Sequence, residues 1–203
     1  MKTDWNKRYS VEEYVYGKQP NYFFRTVMDT LSPGKILLPA EGEGRNGVYA
    51  ACRKWDVMAF DSSPVARQKA LKLAGENGVE INYHVCDYPD FNCHESVFDA
   101  IAFIYAHLPD KQKHTYYRRL FLCLKTGGKV IFEAFSKNQQ KYQLDDPQAG
   151  GPRDPGMLFS KEEVEEIFTG FALLKLEEEK ILLSEGPGHT GYASVVRCVA
   201  EKI

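Results

Sequence analysis

The sequence predicts an α/β protein: a doubly wound, mostly parallel seven-stranded sheet closed by a C-terminal antiparallel hairpin. Three observations carry this. Short apolar runs alternate with amphipathic stretches from residue 35 onward, and hairpin signals are missing until the end of the chain. The 203 residues are 43% hydrophobic and 13% aromatic, enough for one full core. No repeat or composition break divides the chain, so residues 1–203 are expected to form a single domain.

Each element has its own reason. Residues 21–31 place Phe23, Phe24, Val27, Met28 and Leu31 at helical spacing before Ser-Pro-Gly stops the helix. KILLPAE over 35–41 reads as a buried strand with a proline near its end, where a missing donor matters least. A short helix is expected over 45–54 and a second strand over 55–61. Residues 62–78 combine a serine cap, a first-turn proline, apolar Val65, Ala66, Ala70, Leu71, Leu73 and Ala74, and a glycine stop, which predicts a helix. Strands three and four are expected over 81–87 and 98–107, a helix over 109–128, and strand five over 129–135. Residues 136–158, rich in glycine, proline and turn formers, predict a long loop on the substrate side. SKEEVEEIFTG reads as a capped helix, and 171–186 with 189–202 as the two closing strands.

Composition narrows the function classes. Twenty-six Lys plus Arg against 28 Asp plus Glu give a net charge of −2, which supplies no long-range pull toward nucleic acid or an anionic membrane. A small-molecule acceptor is the expected partner, and the chain is expected to act as a monomer or homodimer. The leader has no apolar signal-peptide core and no stretch approaches 18 apolar residues, so a cytoplasmic location is expected. The five cysteines contain no C-x-x-C pair and read as reduced thiols. His84, Cys86, Cys93 and His94 match no zinc spacing, and no metal is expected.

The sharpest signal is the first strand running into Glu41-Gly42-Glu43-Gly44-Arg45-Asn46-Gly47, a G-x-G-x-x-G loop that opens a helix. Glycine lets backbone approach a ligand closely, and a helix N-terminus adds oriented N–H groups. Strand two ends in Asp61-Ser62, where an acid reaches both hydroxyls of a ribose. Strand three ends in Asp87-Tyr88, within reach of an adenine. Glu41, Asp61 and Asp87 therefore outline an adenosine-shaped site, with Gly42, Gly44, Asn46, Ser62 and Tyr88 beside them. Glu41 and Glu43 would repel a pyrophosphate yet suit a ligand carrying an ammonium and a sulfonium, so S-adenosyl-L-methionine is the expected cofactor. A nicotinamide-dependent oxidoreductase, with Arg45 offsetting the repulsion, and a non-catalytic adenosine-binding module are the alternatives.

PAEGEGRNGVYAA, Asp61, CDYPDF, FDAIAFIYAHLP and LKTGGKVIFEAF resemble successive motifs of class I S-adenosylmethionine-dependent methyltransferases. WNKRYSVEEYVYGKQPN, the Gly-Gly-Pro of the long loop and EGPGHTGYASVV are similar to a small bacterial branch related to the tellurite-resistance and thiopurine methyltransferases. The resemblance implies a Rossmann-like methyltransferase fold but no firm substrate; methyl transfer to a small molecule is expected, with a thiol, metalloid or other soft nucleophile as the acceptor. No Asn- or Asp-Pro-Pro-Tyr segment follows strand four, which disfavours methylation of nucleic acid bases.

Tyr105 and His107 stand at the carboxyl end of strand four and are the candidate catalytic residues. His107 reads as a general base, a substrate ligand or a helix cap. The leader, residues 1–20, carries Trp5, Arg8, Tyr9, Tyr14 and Tyr16 and is expected either to close over the cofactor or to patch the sheet edge. His189 in the last turn, Glu133 and Arg153 are further acceptor-side candidates.

Overall fold

The computed structural model describes residues 4–146 and 148–203. Its central layer is a seven-stranded sheet of β1 (Lys35–Pro39), β2 (Asp56–Asp61), β3 (Asn82–Val85), β4 (Phe98–Ile104), β5 (Leu124–Phe135), β6 (Phe171–Ser184) and β7 (Thr190–Lys202). The strand order is β3-β2-β1-β4-β5-β7-β6. The first five strands pair in parallel, while β7 runs antiparallel to both β5 and β6. This is the expected doubly wound sheet with its closing hairpin. Around it lie α1 (Trp5–Tyr9), α2 (Tyr22–Met28), α3 (Arg45–Cys52), α4 (Pro64–Glu76), α5 (Asp110–Phe121), α6 (Gln139–Asp145) and α7 (Lys161–Ile167). No helix among the described residues is long and apolar enough to cross a membrane.

The strands read as continuous apolar runs because both sheet faces are covered. Successive residues alternate between two cores. Ile36 and Leu38 join Val57, Ala59 and Ile131 under α2, α3 and α4, whereas Leu37 joins Phe60, Ile101, Phe103 and Phe132 under α5 and α7. Each fully buried aliphatic or aromatic side chain of this kind contributes about 1.5–3 kcal/mol.

Three expectations are corrected. The helix expected over 109–128 ends at Phe121, because the Val97 and Phe98 amides donate to the Cys123 carbonyl and draw Leu124 into register with Phe98. The sheet thus claims residues that the glycine stop assigned to the helix. The same approach joins Cys93 to Cys123 in a disulfide, Cα atoms 6.1 Å apart, leaving free thiols only at Cys52, Cys86 and Cys198. The loop expected over 136–158 contains α6, whose fully buried Gln139 accepts from the Ser194 amide at 2.9 Å and donates to the Gly150 carbonyl at 2.9 Å. A helix anchored by a polar side chain leaves no apolar period to read.

Tyr117 of α5 is 1% exposed and donates to the Ala106 carbonyl at 2.6 Å, fixing the chain between Tyr105 and His107. Tyr117→Phe leaves that carbonyl buried without its donor and is expected to lower stability by about 1–3 kcal/mol. Urea unfolding followed by circular dichroism measures this; a change below 0.5 kcal/mol would mean that the carbonyl finds another partner.

Candidate cofactor and acceptor site

The cofactor half is built at the C-terminal ends of β1, β2 and β3. Glu41, 9% exposed, turns its Oε1 onto the first amides of α3, accepting from Asn46 at 2.9 Å and Gly47 at 2.7 Å. The donors that a phosphate would need are therefore already engaged by the protein's own carboxylate. Asp61, at the end of β2, accepts from the Gly42 amide at 3.1 Å and the Ser63 amide at 2.9 Å. Burial pushes the Glu41 carboxyl up to about 7 and that of Asp61 up to about 6, with Asp87 adding to the rise at Asp61. Backbone N–H groups, rather than a basic side chain, meet both carboxylates, so negative potential accumulates around Gly42.

The neighbours of that pair are occupied differently from the sequence expectation. Glu43 is ion-paired with Lys69 of α4 at 2.5 Å. Arg45 turns away from the glycine loop, to Glu185 at 2.9 Å and the Tyr16 carbonyl at 3.1 Å. The Asn46 side chain accepts from the Asn21 amide at 2.9 Å. Ser62 is exposed, and it is Ser63 that caps α4, accepting from Ala66. Asp87 accepts from the Tyr88 amide at 2.8 Å. The Tyr88 ring packs on Phe60 and Tyr116, with its buried hydroxyl making no hydrogen bond. Tyr83 of β3, unremarked in the sequence because it reads as a plain core position, donates to the Gly42 carbonyl at 2.6 Å.

The leader closes over this floor. Tyr9 is 4% exposed, and a Cβ on Gly42, whose φ is +63°, would stand 2.8 Å from its hydroxyl. Trp5 stacks on Tyr9 at 5.5 Å, and Tyr16 meets Tyr9 edge-on at 6.5 Å. Lys69 Nζ also donates to the carbonyls of Val11 and Glu13 at 3.0 and 2.6 Å, and Tyr14 donates back to the Lys69 carbonyl at 2.9 Å. The Gly188 amide donates to the Val15 carbonyl at 2.7 Å. The aromatic segment is thus latched to α4 on one side and to the β6–β7 turn on the other.

The acceptor half lies at the ends of β4 and β5. His107 has both ring nitrogens engaged by backbone: Nδ1 with the Met157 carbonyl at 2.8 Å and Nε2 with the Phe135 amide at 3.3 Å. An amide can only donate, so Nε2 accepts, Nδ1 carries the hydrogen and the ring is neutral. Burial pushes its pKa down to about 4. Of the readings left open for His107, the geometry favours a structural bridge between β5 and the 153–158 turn. Tyr105, in a left-handed conformation with φ +53°, directs a buried hydroxyl that makes no hydrogen bond. Burial and the Glu133 and Glu185 carboxylates hold that phenol well above its usual pKa.

Sequence reasoning named Glu133 as a candidate but not the partners that make it a polar hub beside Tyr105. Glu133 is fully buried and bonded to Asn21 Nδ2 at 2.6 Å and Arg197 Nε at 2.5 Å. Asn21 Nδ2 also donates to Glu185 at 3.0 Å. A lone asparagine before a helix signals only a cap, which Asn21 also supplies to Phe24. Arg153 donates to the Ala149 carbonyl at 3.0 Å.

Gly44 is the second glycine the loop requires. Its φ is +90°, and a Cβ there would sit 2.6 Å from Ala70 Cβ and 2.8 Å from Ala70 Cα. A side chain at this position would run into α4, so Gly44→Val is expected to destabilise the ligand-free protein by more than about 2 kcal/mol through strain and overpacking together. Thermal unfolding measures this; an unchanged Tm would show that α4 can move aside.

Residues 36–128 match a family model described as a methyltransferase domain. No curated protein matches the sequence significantly. Many solved structures share the fold, three of them as follows. One, solved in work on the conversion of a disulfide bond into a thioacetal group during echinomycin biosynthesis, is 17% identical with a TM-score of 0.76, over 94% of this chain and 85% of that one. TehB from Haemophilus influenzae is 17% identical with a TM-score of 0.70, and the match covers 89% of this chain but 61% of TehB. A S-adenosylmethionine-dependent methyltransferase from Methanosarcina mazei is 17% identical with a TM-score of 0.69, over 91% and 99% of the two chains. The methyltransferase-domain match lies across the glycine loop and the acidic strand ends, so residues 36–128 carry a methyltransferase domain within a fold shared with solved methyltransferase structures.

Proposed function

We propose that the protein transfers the methyl group of S-adenosylmethionine to a small-molecule soft nucleophile, a thiol or metalloid being the leading classes. The observation that carries this is the pair of buried carboxylates, Glu41 and Asp61, met by backbone amides and both raised in pKa by burial. Such a floor favours a cationic nucleoside, and the occupied α3 amides disfavour the diphosphate of a nicotinamide cofactor. Asp61 would hold the ribose hydroxyls, the Asp87-Tyr88 corner the adenine edge, and Gly42 and Gly44 the close backbone approach. Trp5, Tyr9 and Tyr16 would roof the site. The cofactor supplies a methyl group made electrophilic by its sulfonium. The protein supplies position and dryness: holding an acceptor in line contributes about 7–11 kcal/mol, against about 3–5 kcal/mol for a placed base. The echinomycin-pathway neighbour, whose described chemistry takes place at sulfur, supports the soft-nucleophile reading. We place the reaction in the cytoplasm, with no nucleic acid or membrane as partner.

Two measurements test this reading. Asp61→Asn is expected to weaken S-adenosylhomocysteine binding at least tenfold in calorimetry, through loss of charge-assisted hydrogen bonds of about 1.5–3 kcal/mol each. Affinity unchanged in the folded variant would remove Asp61 from the site. In the wild type, affinity is expected to fall as pH drops through about 6, where Asp61 takes up a proton. Over the same window the ligand-free fold should gain stability on acidification: raised carboxyl pKa values mean that the native state binds more protons than the unfolded chain. A methyl-transfer screen over thiols, selenite, tellurite, halides and small amines then identifies the acceptor. Cofactor binding with no turnover across that panel would favour the non-catalytic module.

A further inference from the structure

One histidine on the acceptor side keeps a ring nitrogen available. His189 stands at the start of β7's turn with its side chain 7% exposed, and its Nδ1 lies 3.2 Å from Glu185 Oε2. Although burial raises it, the hydrogen bond from His189 and the charge of Arg45 hold the Glu185 carboxyl at about 2. An ionised carboxylate only accepts, so Nδ1 carries the hydrogen and Nε2 the lone pair. Nε2 makes no hydrogen bond among the described residues.

Aromatic side chains of the candidate acceptor half surround that ring. The imidazole lies 4.4 Å from the Tyr16 ring, 4.5 Å from Tyr105 and 5.5 Å from Phe135, centroid to centroid. Leader, β4, β5 and the hairpin turn thus meet on one ring, next to the unbonded Tyr105 hydroxyl. The titratable and charged groups facing it are Glu185 from the hairpin, Arg45 from α3, Arg8 and Tyr16 from the leader, and Tyr105 and His107 after β4. Burial, Arg45 and Arg8 keep the imidazole neutral against the pull of Glu185. His107 offers no such nitrogen, since backbone holds both of its own.

We propose that His189, positioned by Glu185, accepts the acceptor's proton during methyl transfer, and that the acceptor is therefore a proton-bearing nucleophile such as a thiol rather than a halide. This rests on the methyl-transfer reading above and narrows it. As the acceptor's lone pair forms its bond to the methyl carbon, the electron pair of the breaking C–S bond returns to sulfur and the acceptor's proton passes to Nε2. The resulting imidazolium is balanced by Glu185 and later releases the proton to solvent. His189 is the catalytic residue; Glu185, with Arg45 and Asn21 behind it, is a positioning residue.

The test has an arm that needs no acceptor. Ring-nitrogen NMR of the full-length protein, with and without S-adenosylhomocysteine, is expected to find His189 neutral at pH 7 with the hydrogen on Nδ1. Glu185→Gln, which keeps the shape and removes the charge, should lower the His189 pKa further. An Nε2–H tautomer or an imidazolium at pH 7 overturns the proposal. In the second arm, 2-mercaptoethanol and iodide are offered as acceptors and S-adenosylhomocysteine release is followed. His189→Asn should lower kcat/KM for the thiol about 10²- to 10⁴-fold at pH 7, recover as pH passes the thiol's own pKa of about 8.5, and keep its S-adenosylhomocysteine affinity within about twofold. Unchanged turnover, a loss equal at every pH, or turnover of iodide alone refutes the assignment. Failure of the wild type to bind S-adenosylhomocysteine would instead sink the methyl-transfer reading itself.

Discussion

The structure is organised around crowded negative charge at the C-terminal edge of its sheet. Glu41, Glu43, Asp61, Glu133 and Glu185 arrive there from the ends of β1, β2, β5 and β6, and each must be balanced where water is scarce. Three receive a cation: Glu43 takes Lys69, Glu133 takes Arg197, and Glu185 takes Arg45. Glu41 and Asp61 receive only backbone amides. An unpaired buried cation or anion is far more expensive than a paired one, so this allocation both welds the leader, α3, α4 and the hairpin together and leaves one place where a positively charged guest is favoured.

Much of this was legible in the chain, and the reasons are local. Apolar runs bounded by turn formers mark β1 to β5 because both faces of each strand are buried. Gly42, Gly44 and Asp61 stand out because few other uses put glycines and an acid at successive strand ends. What escaped is mostly polar and non-local. Glu41 reads from sequence as a ligand contact, whereas its carboxylate also caps α3. Gly44 is needed as much against Ala70 as toward a ligand. Arg45, a possible phosphate partner by position, is claimed by Glu185 from 140 residues away.

The acceptor side was the less legible half for the same cause. His107 is conspicuous in sequence, yet the fold assigns both of its nitrogens to main chain. His189 read equally as a surface turn residue or an acceptor-side one, and it is 5% exposed because Tyr16, Tyr105 and Phe135 surround it. Such an enclosure depends on the leader and a hairpin more than 160 residues apart folding against one another, which no window of sequence contains. The disulfide between Cys93 and Cys123 belongs to the same class, created by strand pairing across 30 residues.

The insertion of β7 between β5 and β6 has a consequence for how the enzyme is made. Among the described residues β6 pairs with no strand other than β7, so during synthesis it has no sheet neighbour until the residues after 190 emerge. β1 to β5, with Glu41, Asp61 and Asp87, can assemble before then, whereas Glu185 and His189 reach their places only when the hairpin docks. A nascent chain therefore completes the carboxylate floor of Glu41 and Asp61 ahead of the Glu185–His189 wall. On the proposal that His189 takes up the acceptor's proton, chain order alone withholds chemistry from the ribosome-bound intermediate.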